Sequence, residues 1–269
     1  MPSYYNEHNP EAAAWLRGLM RDGLIPQGDV DERDIEDVKK EDLEGYDQAH
    51  FFAGIGGWPL ALALAGVPDD FPLWTGSCPC QDFSVAGNQP GFEGKKDLWP
   101  EFRRLIVARR PALVFGEQVE AAVRVGDKRQ SWLDRLASDL REARYEVGSA
   151  VLSSLLLGAN HRRERIYFVA DSDGQSGSPV LKPLGHGDGF DFWHGFWEDR
   201  VWFKGSDGKK HGREPNSRLV DDGLPATLAL LRGAGNAIVP QLAAEFVSAF
   251  FEAKAALVKP KAKGARAGR

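Results

Sequence analysis

Five short segments of the 269-residue chain hold residue types whose spacing allows chemistry. Residues 52–57 (FAGIGG) follow an apolar run and open a helical one. Glycines in that setting let backbone N–H groups approach a cofactor, although an ordinary strand-to-helix turn has the same composition. Residues 76–84 (GSCPCQDFS) set Cys78 and Cys80 in a Gly/Pro-rich loop just past a strand, where α/β enzymes carry reactive groups. Glu117 follows the apolar run 113–115, at a strand end that can face the same cleft. In residues 161–165 (HRRER), Arg163 and Arg165 alternate on a chain entering a strand, so both point one way, as a clamp on an anion requires. Residues 235–240 (GNAIVP) form a turn that starts a helix.

In this order and spacing the five segments resemble the DNA (cytosine-5)-methyltransferase family. FAGIGG resembles its S-adenosylmethionine loop, PCQDFS its nucleophile loop and EQV its Glu-Asn-Val motif. HRRER resembles its Gln-x-Arg-x-Arg motif and GNAIVP its C-terminal Gly-Asn motif, and the likeness runs from Tyr5 to Phe250. The resemblance implies a Rossmann-like α/β methyltransferase sheet with a small inserted target-recognition region. It implies S-adenosyl-L-methionine as cofactor, held by Phe52, Ala53, Gly54, Ile55, Gly56, Gly57, Pro79 and Asn236, and double-stranded DNA as partner. Cys80, rather than Cys78, matches the nucleophile that attacks C6 of a flipped cytosine, and Glu117 matches the acid facing N3 and the exocyclic amine. Arg163 and Arg165 complete the catalytic set; either of them, or a helix N-terminus after Phe83, can supply the positive field a thiolate needs. Gln118 stands where the family has Asn, and His161 where it has Gln. An RNA cytosine-5 methyltransferase of the same fold and a catalytically silent homologue are the alternatives. The Asp/Asn-Pro-Pro-Tyr/Phe loop of amino-methyltransferases is absent from the sequence.

One departure concerns order. Only 23 positions separate Gly57 from Cys80, and a helix and one strand consume nearly all of them. The family has two further strands there, carrying the acids for the cofactor ribose and adenine. Upstream, the segment from Tyr4 through Glu7 to Leu16 resembles the strand-Glu-helix that normally follows the glycine loop, and Gly28-Asp29-Val30 the next Gly-Asp turn. The chain is therefore read as permuted, with the second and third cofactor strands ahead of the first, Glu7 for the ribose and Asp29 for the adenine amine. The competing reading makes residues 1–44 an unrelated extension.

Behind these segments, strand and helix signals alternate: runs at 48–53, 71–75, 112–115 and 165–170 read as strands, and 58–65, 98–108, 131–143 and 240–257 as helices. Alternation of this kind predicts an α/β layer with a mostly parallel sheet. The pattern breaks from 171 to 222, a stretch rich in Gly, Asp, His and aromatics. We expect a catalytic and cofactor domain over 1–170, a target-recognition region over 171–222, a helical return over 223–257 and a basic disordered tail over 258–269. Within the insert, Trp193, Trp197, Trp202 and Phe203 beside Lys204, Lys209, Lys210, His211 and Arg213 suit DNA contact or a small core. The 34 Lys+Arg and 39 Asp+Glu give a net charge of −5, which argues against a protein that coats nucleic acid but allows a local basic cleft. Two cysteines cannot build a disulfide framework or a cysteine-ligated zinc site, and no apolar run approaches a membrane span. A cytoplasmic monomer without metal, of bacterial or phage restriction-modification type, is the expectation.

Overall fold

The computed structural model describes residues 2–79, 97–123, 126–127, 130–157, 163–172, 179, 201–204, 210–213 and 237–258. Seven strands form one sheet: β1 (Ser3–Asn6), β2 (Gly28–Asp31), β3 (Gln48–Phe51), β4 (Leu73–Gly76), β5 (Leu113–Val119), β8 (Tyr145–Ser153) and β9 (Glu164–Ser172). Their order across the sheet is β2-β1-β3-β4-β5-β9-β8. The first five run parallel, while β9 pairs antiparallel with both β5 and β8. Two short pairs lie outside it: β6 (Gly126–Asp127) with β7 (Gln130–Ser131), and β10 (Val201–Lys204) with β11 (Lys210–Arg213).

The central strands are buried on both faces, which is why they read as near-continuous apolar runs rather than alternations. Period two still divides them. Tyr4, Phe51, Trp74, Val114 and Phe168 face one side, against α3 (Trp99–Arg109) and α4 (Trp132–Glu142). Leu73, Phe115, Tyr167 and Val169 face the other, against α2 (Gly57–Leu64) and α5 (Pro240–Val258). On that second face Tyr5 packs against Leu16 and Met20 of α1 (Pro10–Arg21). Local chemistry agrees with these elements. Asn9 caps α1 by accepting from the Glu11 and Ala12 amides, with Pro10 at the first helical position. Ser131 and Asp134 form a capping box on α4. Lys254 of α5 reaches Asp171 of β9 at 2.5 Å and ties the last helix to the sheet.

Several boundaries differ from the sequence reading. β8 carries no apolar run because it is an edge strand with much of its length exposed, so no signal marked it. β5 continues through Glu117 and Gln118 to Val119, since β9 pairs with it that far; Glu117 lies in the strand rather than after it. β9 likewise runs to Ser172, two residues past the apolar run 165–170. Gly28 and Asp29 begin strand β2 instead of forming a turn, because β1 pairs with them in register. Among the described residues no helix is long and apolar enough to cross a membrane, and no group of three or more His, Cys, Asp and Glu could hold a metal ion.

Candidate active site

The sheet has a divergence point between β1 and β3. After β1 the chain passes outward to β2, and after β3 it passes the opposite way to β4. Crevices at the C-terminal ends of such strand pairs are where open α/β sheets take ligands. Glu7, directly after β1, and the glycine loop, directly after β3, meet there: Glu7 Oε2 accepts from the Gly54 amide at 2.7 Å, and Oε1 from the Asn9 amide at 2.9 Å. Phe52 opens the loop at φ 53°, a left-handed conformation uncommon for an aromatic residue, and its ring meets Phe102 edge-on. Gly56, at φ 86°, serves as the cap of α2. Gly57 has a second reason to be glycine, since a Cβ there would lie 2.7 Å from Ile238 Cγ1.

Phe52, Ala53, Gly54, Ile55, Gly57, Trp58, Ser77, Ala237 and Ile238 enclose a cavity of about 90 Å³ over this loop. The final segment of the sequence thus closes on the glycine loop. Arg163 holds it there, its Nη2 donating to the Ala237 carbonyl at 2.6 Å while its own amide donates to Ser154 Oγ. Asn236 lies outside the described residues, as do His161 and Arg162.

Asp29 is exposed within β2, and its Oδ2 accepts from Tyr46 Oη at 2.6 Å. Two residues on, at the strand's end, Asp31 accepts from Tyr4 Oη and grips the Arg33 guanidinium through both carboxylate oxygens. Both acids line a second cavity of about 450 Å³ with Tyr4, Arg33, Asp42 and Tyr46. The acidic stretch had offered no way to single out Asp31, one of nine carboxylates between Asp29 and Glu44.

The second half of the site stands at the ends of β4, β5 and β9. Gly76 and Gly116 bring β4 and β5 so close that a Cβ on Gly116 would meet the Gly76 carbonyl at 2.6 Å. The chain leaving β4 therefore runs beside Glu117 and Gln118. Gln118 Nε2 donates to the Cys78 carbonyl at 3.3 Å, and Trp58 Nε1 donates to Ser77 Oγ at 2.9 Å. Cys78 is buried and Pro79 exposed. Cys80 and the rest of its loop lie outside the described residues.

Glu117 is opposite Tyr167 in the β5–β9 pairing, and Arg165 is its diagonal neighbour, so all three share a face. Arg165 Nε lies 3.0 Å from Glu117 Oε1, yet off the direction of a hydrogen bond. Burial prevails over the pull of Arg165 and Arg163 and pushes the Glu117 carboxyl up to about 7. Arg163 is shifted the other way, its guanidinium drawn below the usual range by burial and by the charge of Arg165. A buried carboxyl that titrates near neutrality can hold a proton and deliver it. The sequence reading brought Glu117 and Arg165 together as the structure does. It missed Trp58, Ser77 and Tyr167, whose side-chain types carry no chemistry until the strands align them.

Comparison with known proteins bears on this geometry. Residues 65–184 match the C-5 cytosine-specific DNA methylase family. The Type II methyltransferase M.HhaI of Haemophilus parahaemolyticus is 26% identical over 170 residues, covering 49% of this chain and 51% of that protein. The Type II methyltransferase M.Bsp6I of Bacillus sp. (strain RFL6) is 37% identical over 167 residues, covering 61% of this chain and 42% of that one. The chain thus spans about half the length of the curated relatives it matches. A crystal structure of a Spodoptera frugiperda DNMT2 mutant overlaps 68% of this chain and 45% of its own at 12% identity, with a TM-score of 0.42.

Proposed function

On the match of residues 65–184 to the C-5 cytosine-specific DNA methylase family, we propose that the chain methylates carbon 5 of cytosine in double-stranded DNA. The observation that carries the reading is Glu117: a buried carboxyl near pKa 7, paired with Arg165, beside the chain that leads into Cys80. Carbon 5 of cytosine is a poor nucleophile. Attack of the Cys80 thiolate on C6 breaks the aromatic system and makes C5 carbanion-like, and a proton donated by Glu117 toward N3 favours that attack. Loss of the C5 proton later expels Cys80. Arg165 holds the Glu117 carboxyl in place, and Arg163 holds the 237–239 segment over the glycine loop.

The residues present fit S-adenosylmethionine. The Glu7 carboxylate suits a ribose diol, the 52–57 loop closes around a cavity, and space beside Gly54 is open apart from the Phe52 carbonyl at 3.9 Å. When bound, the cofactor supplies a methyl group activated by a sulfonium. Phe52 through Gly57, Pro79 and Asn236 would hold its body, Glu7 its ribose and Asp29 its adenine amine.

The permuted order belongs to the same proposal. With β3 counted as the first strand, β1 and β2 as the second and third, and β4 and β5 next, the sheet order becomes 3-2-1-4-5, that of doubly wound nucleotide-binding sheets. The family match begins at residue 65, downstream of the segment whose order departs. The region between Ser172 and 222, which includes the β10–β11 hairpin, is the proposed reader of the DNA.

Tritiated methyl transfer to DNA and to RNA, with Cys80→Ser beside the wild type, tests the reading. We expect transfer to DNA, its loss in Cys80→Ser, and covalent trapping of the wild type on DNA containing 5-fluorocytosine, from which no proton can leave C5. Transfer to RNA alone would replace the substrate; trapping that survives in Cys80→Ser would remove the assigned nucleophile.

A further inference from the structure

Trp58 is the second residue of α2 and is buried, yet its indole N–H is used: Nε1 donates to Ser77 Oγ at 2.9 Å. A buried indole usually finds such a partner, but this one joins two loops of the site. Ser77 directly follows β4, and Cys80 lies three residues further along the chain. Three residues of extended chain span at most about 10 Å, so the place of Ser77 bounds how far the chain can carry the nucleophile from β4. The same indole sits beside the glycine loop, lining its cavity together with Ser77. Its ring rests on Phe115, two residues before Glu117 on β5, and meets Tyr167, the strand partner of Glu117, edge-on at 6.3 Å.

We propose that Trp58 is a positioning residue that locks the cofactor loop, the start of the nucleophile loop and the strands bearing Glu117 into one register, through its hydrogen bond to Ser77. The inference rests on the methylation reading above and adds to it. Glu117 and Arg165 act from β5 and β9 and Arg163 from just before β9, whereas Trp58 acts from the helix behind the glycine loop, through Ser77. A hydrogen bond of this kind contributes on the order of 1 kcal/mol, so its loss should slow the step it organises by about three- to tenfold.

Trp58→Phe keeps an aromatic ring and removes the donor; Ser77→Ala removes the acceptor and leaves the ring alone. The rate of covalent trapping on 5-fluorocytosine DNA, at saturating S-adenosylmethionine, should fall about three- to tenfold in each variant. It should fall no further in the double variant, since both changes delete one bond. Both residues also line the cofactor cavity, so cofactor affinity, measured by calorimetric titration, should fall as well, but the loss of rate should persist at saturating cofactor, where damage confined to cofactor binding would disappear. Wild-type trapping rates at saturating cofactor in both single variants, or additive losses in the double variant, would overturn the proposal. If the wild type itself fails to trap, the methylation reading falls and takes the latch with it.

Discussion

The two carboxylates at opposite ends of the crevice are similarly screened from water, with side-chain exposures of 10% for Glu7 and 7% for Glu117. Exposure does not separate them; their partners do. Glu7 sits on a loop between parallel strands and accepts from two backbone amides, the donors that a chain turning between elements leaves available. Glu117 sits inside a strand whose amide and carbonyl are committed to the sheet, so its side chain depends on a guanidinium from the next strand. On the proposed reading, the parallel side of the sheet builds a receptor for hydroxyl groups, and the antiparallel side builds a proton store. One sheet obtains both by reversing a single strand, β9.

The largest expected effect breaks the parallel side outright. Residues 1–44 supply β1, α1 and β2, including the fully buried Tyr5 and Leu16. Their deletion would expose the β3 edge and strip that side of its core. We expect no soluble folded protein, measured by expression and circular dichroism. A folded, active truncation would make the segment a dispensable extension and refute the permuted reading.

On the antiparallel side, Glu117→Gln should lower the chemical step by roughly 10²-fold, the usual scale for losing a general acid. It has a stability counterpart of definite sign. The folded pKa of about 7 lies above the unfolded value of 4.5, so the folded state binds this proton more tightly. The contribution favours folding most below pH 4.5 and is lost as pH rises through 7. Melting temperature should therefore fall between pH 5 and 8 in the wild type, and fall less in Glu117→Gln, which keeps a neutral side chain. Equal pH dependence in the two proteins would mean that burial does not dominate at Glu117.

The same contrast explains what the sequence could disclose. The meeting of Glu117 and Arg165 was legible because each stands at an end of an apolar run that reads as a strand. The parallel strands were legible as apolar runs, β3 and β4 above all. The edge strand β8 was not, because an edge strand with exposed positions has no composition that distinguishes it from a loop. Nor was the Trp58–Ser77 bond, because a tryptophan in an apolar helix reads as core and only the approach of β4 gives its N–H a partner. Gln118 was read as a departure from a family pattern, whereas its contact with Cys78 depends on the closeness of Gly76 and Gly116.

A smaller effect probes Glu7 alone. A charged acceptor for two hydroxyls contributes roughly 1.5–3 kcal/mol, so Glu7→Ala should weaken S-adenosylmethionine binding by about 10- to 100-fold. Trapping at saturating cofactor should change far less, since Glu117 and Arg165 stand three and four strands away from β1 in the sheet order. Calorimetric titration beside trapping rates separates the two. Unchanged affinity would leave the ribose acid unidentified, and a rate loss as large as that of Glu117→Gln would erase the division of labour between the two ends.

The smallest effect concerns the residue between them. Gln118 joins the antiparallel side to the nucleophile loop: its Nε2 donates to the Cys78 carbonyl at 3.3 Å and its Oε1 accepts from the Val119 amide at 2.9 Å. Family resemblance alone would expect Gln118→Asn to improve the enzyme, by restoring the residue usual at that position. The geometry predicts the reverse. Asparagine is one methylene shorter, and a donor already 3.3 Å from its acceptor cannot reach it after that retreat without moving β5, which is paired on both sides. The bond is long and neutral, so its loss belongs at the weak end of the range for hydrogen bonds, about 0.5 kcal/mol, or roughly a two- to threefold slower turnover. Steady-state methyl transfer by the two proteins, prepared in parallel, resolves a difference of that size. A faster Gln118→Asn enzyme would show that residues 77–79 take their register from Trp58 alone, with no share held by the strand that carries Glu117.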